Sequence, residues 1–130
     1  MTYIINTTTA PKPIGPYSQA IQVNNMIILS GQIPIDMMSN HIPDNIAEQT
    51  YLVLKNIESI LINAKFHVKD IVKTTIFTTT LKKINIINEI YKKFFLNHTK
   101  IFPARSCIEV QALPKNVKIE IEAIAFKDHN

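Results

Sequence analysis

The sequence predicts an α+β fold: one β-sheet with two helices on a single face, in the order β-ββ-α-β-α-ββ. Three observations lead there. Two stretches, Ile46 to Ala64 and Ile84 to Phe95, repeat apolar residues at helical spacing. Other segments are rich in Ile, Val, Phe and Thr, which suit strands. The last, from Val117 to Phe126, alternates with the two-residue period of a strand. Runs of strands separated by only two helices read as one sheet and one helical layer.

Each element has its own signal. Thr2 to Asn6 is a short strand. Thr9 to Ser18 holds Pro11, Pro13, Gly15 and Pro16, which forbid helix and favour a stiff extended loop. Gln19–Val23 and Met26–Ser30 read as strands joined by Asn24-Asn25, a compact hairpin, with Gly31 ending the second. Asn45 is placed to cap the first helix, with Glu48 three residues on as its capping-box partner. Ile46, Thr50, Val53, Leu54, Ile57, Ile60, Leu61 and Ala64 then form one broad apolar face.

Asp70 to Thr79 is a strand. Ile84, Ile87, Ile90, Tyr91, Phe94 and Phe95 mark the second helix, ending near Asn97. Ala104–Val110 and Val117–Phe126 are the closing strands. Val117, Ile119 and Ile121 are expected to face the helices, with Lys118, Glu120 and Glu122 facing away, followed by Ile124 and Phe126. A face mixing carboxylates with large apolar groups predicts a subunit interface with a polar pocket in it.

A length of 130 residues predicts one domain, 1–130. With 46% hydrophobic and 18% charged residues the chain reads as globular, and no apolar run is long enough to span a membrane. The start of the sequence does not read as a signal peptide, and the one cysteine, Cys107, forms no internal disulfide, so a cytoplasmic location is expected. The net charge of +4 is spread over scattered lysines, which predicts a solvated surface rather than a nucleic-acid footprint. The histidines His41, His67, His98 and His129 have no paired acid–base or metal-ligand spacing.

Residue usage adds a filter. There are 24 Ile, 12 Asn and 13 Lys, but one Arg and two Gly. With lysine the default cation, Arg105 is expected where a planar, bidentate fork is needed. Gly15 and Gly31 are expected where the backbone needs positive φ or close approach. In the strand 104–110, alternation puts Arg105, Cys107 and Glu109 on one face. A symmetric hairpin centred near Leu113-Pro114 would set Glu109 against Lys118, Cys107 against Glu120, and Arg105 against Glu122. A guanidinium, a thiol and two carboxylates would then share a patch. That patch reads equally as a site or as an Arg105–Glu122 salt bridge with Cys107 a buried filler.

The runs Phe102-Pro103-Ala104-Arg105-Ser106-Cys107-Ile108-Glu109-Val110, Leu113-Pro114-Lys115 and Val117-Lys118-Ile119-Glu120-Ile121-Glu122-Ala123 closely resemble the C-terminal signature of the Rid/YjgF family of reactive-intermediate deaminases. Ile14-Gly15-Pro16-Tyr17-Ser18-Gln19-Ala20, Ser30-Gly31-Gln32-Ile33-Pro34 and Asp70-Ile71-Val72-Lys73-Thr74-Thr75-Ile76-Phe77 resemble the same family in order and position. The resemblance implies a chorismate-mutase-like α+β domain assembled as a homotrimeric barrel, with sites between subunits. It implies hydrolysis of 2-imino acids and their enamine tautomers, such as 2-iminobutanoate and 2-iminopropanoate, to 2-oxo acids and ammonia. These imines are released by pyridoxal-phosphate dehydratases. No cofactor and no metal is implied.

The family's site carries over to Glu120, Arg105, Tyr17 and Ser30 as catalytic residues, with Arg105, Cys107, Asn88 and Ser30 binding substrate. A covalent role for Cys107 ranks below a positioning one, because no histidine is placed to activate it. The family often has glycine where Asn40 and Lys65 stand, and a small residue where Gln111 stands. Two other readings belong to the resemblance: an endoribonuclease or translation inhibitor, and a non-catalytic trimer that binds 2-oxo acids.

Overall fold

A computed structural model describes residues 1–128; His129 lies outside them. The elements follow the expected order: β1 (Thr2–Ile5), β2 (Ala20–Val23), β3 (Met26–Gln32), α1 (Ile46–Asn63), β4 (Ile71–Thr78), α2 (Ile84–Leu96), β5 (Ala104–Glu109) and β6 (Ile119–Phe126). The six strands form one mixed sheet in the spatial order β1-β2-β3-β6-β4-β5.

Two expectations fail here. β3 does not stop before Gly31 but runs on to Gln32, through a register shift against β6 between Leu29 and Gln32. The closing strands do not form a hairpin either. β6 inserts antiparallel between β3 and β4, while β5 pairs parallel with β4 at the sheet edge. The physical reason is α2. A helix between β4 and β5 is the long crossover that parallel neighbours require, whereas adjacent antiparallel strands need only a turn. Glu109 therefore meets the Leu81 N–H at 2.9 Å rather than Lys118, whose Nζ bonds the Asp44 carbonyl.

Both helices cover the same face. Ile46, Thr50, Val53, Leu54, Ile57, Ile60 and Leu61 of α1 are buried, as are Ile87, Tyr91, Phe94 and Phe95 of α2. They close on Ile27, Leu29, Ile76, Ile119, Ile121, Ala123 and Ala125 from the sheet. Val117 lies outside β6 and packs instead with Ile33 and Ile35 in a smaller cluster. Asn45 caps α1 through Glu48 N–H···Oδ1 at 2.8 Å, one half of the expected box. Among the described residues no helix covers the other sheet face. Ile28, Ile108 and Phe126 on that face are 42%, 45% and 46% exposed, interspersed with Glu120 and Glu122.

Buried amides pin the connections. Gln19 Nε2 donates to the carbonyls of Thr7, Ala10 and Pro11 at 3.1, 3.3 and 2.9 Å, tying down the proline-rich loop. Asn56 Nδ2 holds the Ile33 and Ile35 carbonyls, both at 3.1 Å. Asn24, Asn40 and Lys65 have φ of 53°, 60° and 65°. Asparagine tolerates this region, whereas an exposed lysine gains nothing from it. Lys65→Gly is expected to stabilise the protein by about 0.5–1 kcal/mol, strain relief outweighing the added freedom of the unfolded chain. Denaturant titration checks this, and a fall in stability would show that the left-handed turn is not strained.

Candidate functional site

The Glu120 half of the site is built by close backbone approach. Glu120 projects from β6 to the open face, and the register shift in β3 brings Gly31 beneath it. A Cβ on Gly31 would fall within the Glu120 side chain, 2.8 Å from its Cδ. Gly31 is thus required for close approach; no described glycine has positive φ. At Gly15 a Cβ would make only ordinary contact with the Tyr17 ring, at 3.4 Å.

Tyr17, Ser30, Gly31, Glu120 and Glu122 line one cavity of about 380 Å³, closed by Ile14, Ile33 and Pro114. Burial pushes the Glu120 carboxyl above its ordinary 4.5, and the neighbouring Glu122 charge adds to the effect. The Ser30 hydroxyl donates to the Ser18 carbonyl at 2.6 Å, so its oxygen is left to accept. The Tyr17 oxygen accepts from Ile14 N–H at 3.1 Å, which leaves its own proton free to donate. Gln19, not singled out from the sequence, holds the loop that carries Tyr17. A buried amide at the end of a proline-rich run was the available signal.

The Arg105 half lies elsewhere. Arg105 pairs in register with Thr74, which pairs with Ala123, so it belongs to the helix-covered face at the sheet edge. Glu120 pairs with Phe77, of opposite parity, and so faces the other way. Arg105 Nη1 donates to Asn88 Oδ1 at 2.8 Å, and the two line a second cavity of about 290 Å³ with Tyr91, Lys92, Phe102 and Pro103. Cys107 lies one strand repeat further on, half-buried against the core. Burial pushes its thiol up and Arg105 only partly opposes this, so no thiolate is prepared. Val110 N–H bonds the Thr78 carbonyl, so by alternation Cys107 N–H points to the unpaired edge of β5.

The expected single patch is therefore two half-sites on opposite faces. Tyr17, Ser30 and Glu120 come together, as do Arg105, Asn88 and Cys107, but the halves do not meet within one chain. Within one chain the same parity keeps Arg105 from pairing with Glu122. No described histidine lines either cavity.

The model of the family described as Endoribonuclease L-PSP matches residues 7–127. The chain belongs to this family, also called Rid/YjgF. A RutC family protein of Buchnera aphidicola (subspecies Acyrthosiphon pisum) is 74% identical over 127 residues, covering 98% of this chain and 99% of that protein. The 2-iminobutanoate/2-iminopropanoate deaminase of Escherichia coli K12 is 47% identical over 127 residues, covering 98% and 99%. The crystal structure of Escherichia coli TdcF with bound serine superposes with a TM-score of 0.94 at 44% identity, covering 97% of this chain and 99% of that one. These matches bear out the family and the α+β fold expected from the motifs.

Glu120 sets a pH-dependent stability. Its folded pKa is raised, so its contribution is fully present below the unfolded value near 4.5 and is lost as pH rises through the folded value. Glu120→Gln removes that loss. The variant is expected to match the wild type in acid and to be the more stable near neutral pH. Urea titrations at both pH values check it, and a variant less stable at neutral pH would mean that the carboxylate is satisfied rather than desolvated.

Proposed function

We propose that the protein hydrolyses 2-imino acids and their enamine tautomers to 2-oxo acids and ammonia, in sites shared between copies of a homotrimer. The observation that carries this reading is the split site. A carboxylate-gripping fork and a desolvated general base stand on opposite faces of one sheet, so only a second copy can bring Arg105 to Glu120. The uncovered apolar groups around Glu120 supply the surface for that contact. The name of the Escherichia coli deaminase supports the reaction.

The chemistry follows from the groups. A 2-imino acid carries a planar carboxylate beside an electrophilic carbon. The Arg105 fork, steadied by Asn88, binds the carboxylate through parallel charge-assisted hydrogen bonds and fixes that carbon in place. The free Cys107 N–H is a further donor at the same edge. Glu120 takes a proton from water as the oxygen bonds to carbon and the C=N pair moves to nitrogen. Glu120 returns that proton to nitrogen; it then takes the hydroxyl proton of the carbinolamine and passes it to the amine, so the C–N bond breaks and ammonia leaves as the carbonyl forms. Ser30 accepts from water or the imine N–H, and Tyr17 donates. No covalent intermediate is needed.

The direct test is a dehydratase-coupled assay that forms the imine from threonine or serine and traps what remains unreacted. Arg105→Lys is expected to lower kcat/KM about ten- to a hundredfold, since the planar fork is lost while the charge is kept, a hydrogen bond to a charged group being worth roughly 1.5–3 kcal/mol. Unchanged turnover would remove the carboxylate grip.

Shared sites make a second prediction. Light scattering is expected to give three times 14.8 kDa. Arg105→Ala and Glu120→Gln chains, each inactive alone, are expected to regain about a quarter of wild-type activity when refolded together, the share of randomly formed interfaces with both residues intact. No recovery from mixed trimers would place the whole site in one chain.

A further inference from the structure

Tyr91 takes no part in the reaction just described, yet it is the one tyrosine buried in the core, and it lies directly against the arginine on which that reaction depends. Its ring sits under the Arg105 guanidinium, with Cζ 5.1 Å from the ring centroid. That is within the range of a cation–π contact. Its hydroxyl shares a hydrogen bond of 2.6 Å with Thr74 Oγ1, and Thr74 is fully buried on β4, directly beside Arg105 in the sheet register. The ring also packs on Phe95, with centroids 4.6 Å apart. The ring is therefore held by its hydroxyl and by Phe95, and it has little freedom to turn.

Asn88 fixes only one corner of the guanidinium. A single hydrogen bond lets a planar fork pivot about it; a ring beneath the plane stops the pivot. We propose that Tyr91 is a positioning residue: its ring is the platform that sets the plane of the Arg105 guanidinium for a carboxylate, held mainly by packing on Phe95, with the Thr74 hydrogen bond a secondary tether. The proposal rests on the reading of Arg105 as the carboxylate grip and adds the group that orients it. Burial keeps the Tyr91 hydroxyl protonated well past neutral pH, so the Thr74 bond persists across the working range.

The sequence offers an uncommon probe. Arg105 is the only arginine, so it gives the only arginine Nε–H signal in a ¹⁵N–¹H spectrum. In the wild type this signal is expected to be ring-current shifted and ordered. Tyr91→Phe keeps the ring and is expected to retain the shift and to hold KM, and the Kd for 2-oxobutanoate by calorimetry, within about threefold. Tyr91→Leu is expected to move the signal to its unstructured position and to raise both constants about tenfold, with kcat changed far less. Should the leucine variant not fold, pentafluorophenylalanine at position 91 preserves the packing while removing the ring's negative face, and is expected to weaken 2-oxobutanoate binding relative to phenylalanine.

An Arg105 signal and a 2-oxobutanoate Kd that stay at wild-type values in the leucine or fluorinated variant would overturn the proposal. So would an equal loss in Tyr91→Phe, which would assign the effect to the hydroxyl. The spectrum needs no turnover. A wild type that hydrolyses no imine but shows the shifted signal would therefore count against the proposed reaction and not against the platform.

Discussion

Alternation along a strand decides what this chain can do alone. Neighbouring side chains on β6 and β4 point to opposite sides, and the register carries that parity across to β5. Arg105 falls in the row with Thr74 and Ala123, under the helices. Glu120 falls in the row with Phe77, on the bare face. No rotamer carries either side chain through a hydrogen-bonded sheet. The same parity that buries Ile119 and Ile121 with α1 therefore places Glu120 and Glu122 where only solvent or another molecule can reach them.

The rest of the molecule makes the two halves rigid. Gln19 ties the loop bearing Tyr17 to the core, Asn56 ties the segment after β3 to α1, and Gln49 accepts from Lys118 N–H at 2.8 Å just before β6 begins. Each is a buried side-chain amide satisfied by backbone partners, and no buried side-chain polar atom among the described residues lacks one. Such bonds add modestly to stability, about 1 kcal/mol each, but leaving a partner unmet would cost more. Their effect is geometric. They allow irregular segments to pass close to Glu120 without the looseness of ordinary surface loops.

Much of this was legible in the sequence because it is local. The helix faces, the Asn45 cap, the Asn24 turn and the order of elements depend on residues within a few positions of each other. The six candidate site residues were reached through motifs, and Gly31 through its rarity. The pairing of the last two strands was not legible in the same way. Opposite charges at Glu109 and Lys118 favoured a hairpin, and alternation within each strand could not say which strand lies between them. The decisive signal was non-local: α2 stands between β4 and β5, and a helical crossover joins parallel strands. Tyr91 escaped for a related reason. It belongs to the apolar face of α2, and only the register of β4 against β5 shows that Thr74 and Arg105 meet it.

The charges in the two half-sites are matched to this separation. Glu120 is desolvated beside a second carboxylate, with its pKa raised, and a guanidinium held permanently against it would pull that pKa down again. A base with a low pKa accepts protons poorly near neutral pH. Distance within the chain prevents that pairing. On the proposed arrangement the guanidinium reaches the cavity from another copy and is largely neutralised by the substrate carboxylate lying between them. The carboxylate of the substrate then occupies the fork, the carbon beside it faces Glu120, and the base keeps the basicity that its burial provides.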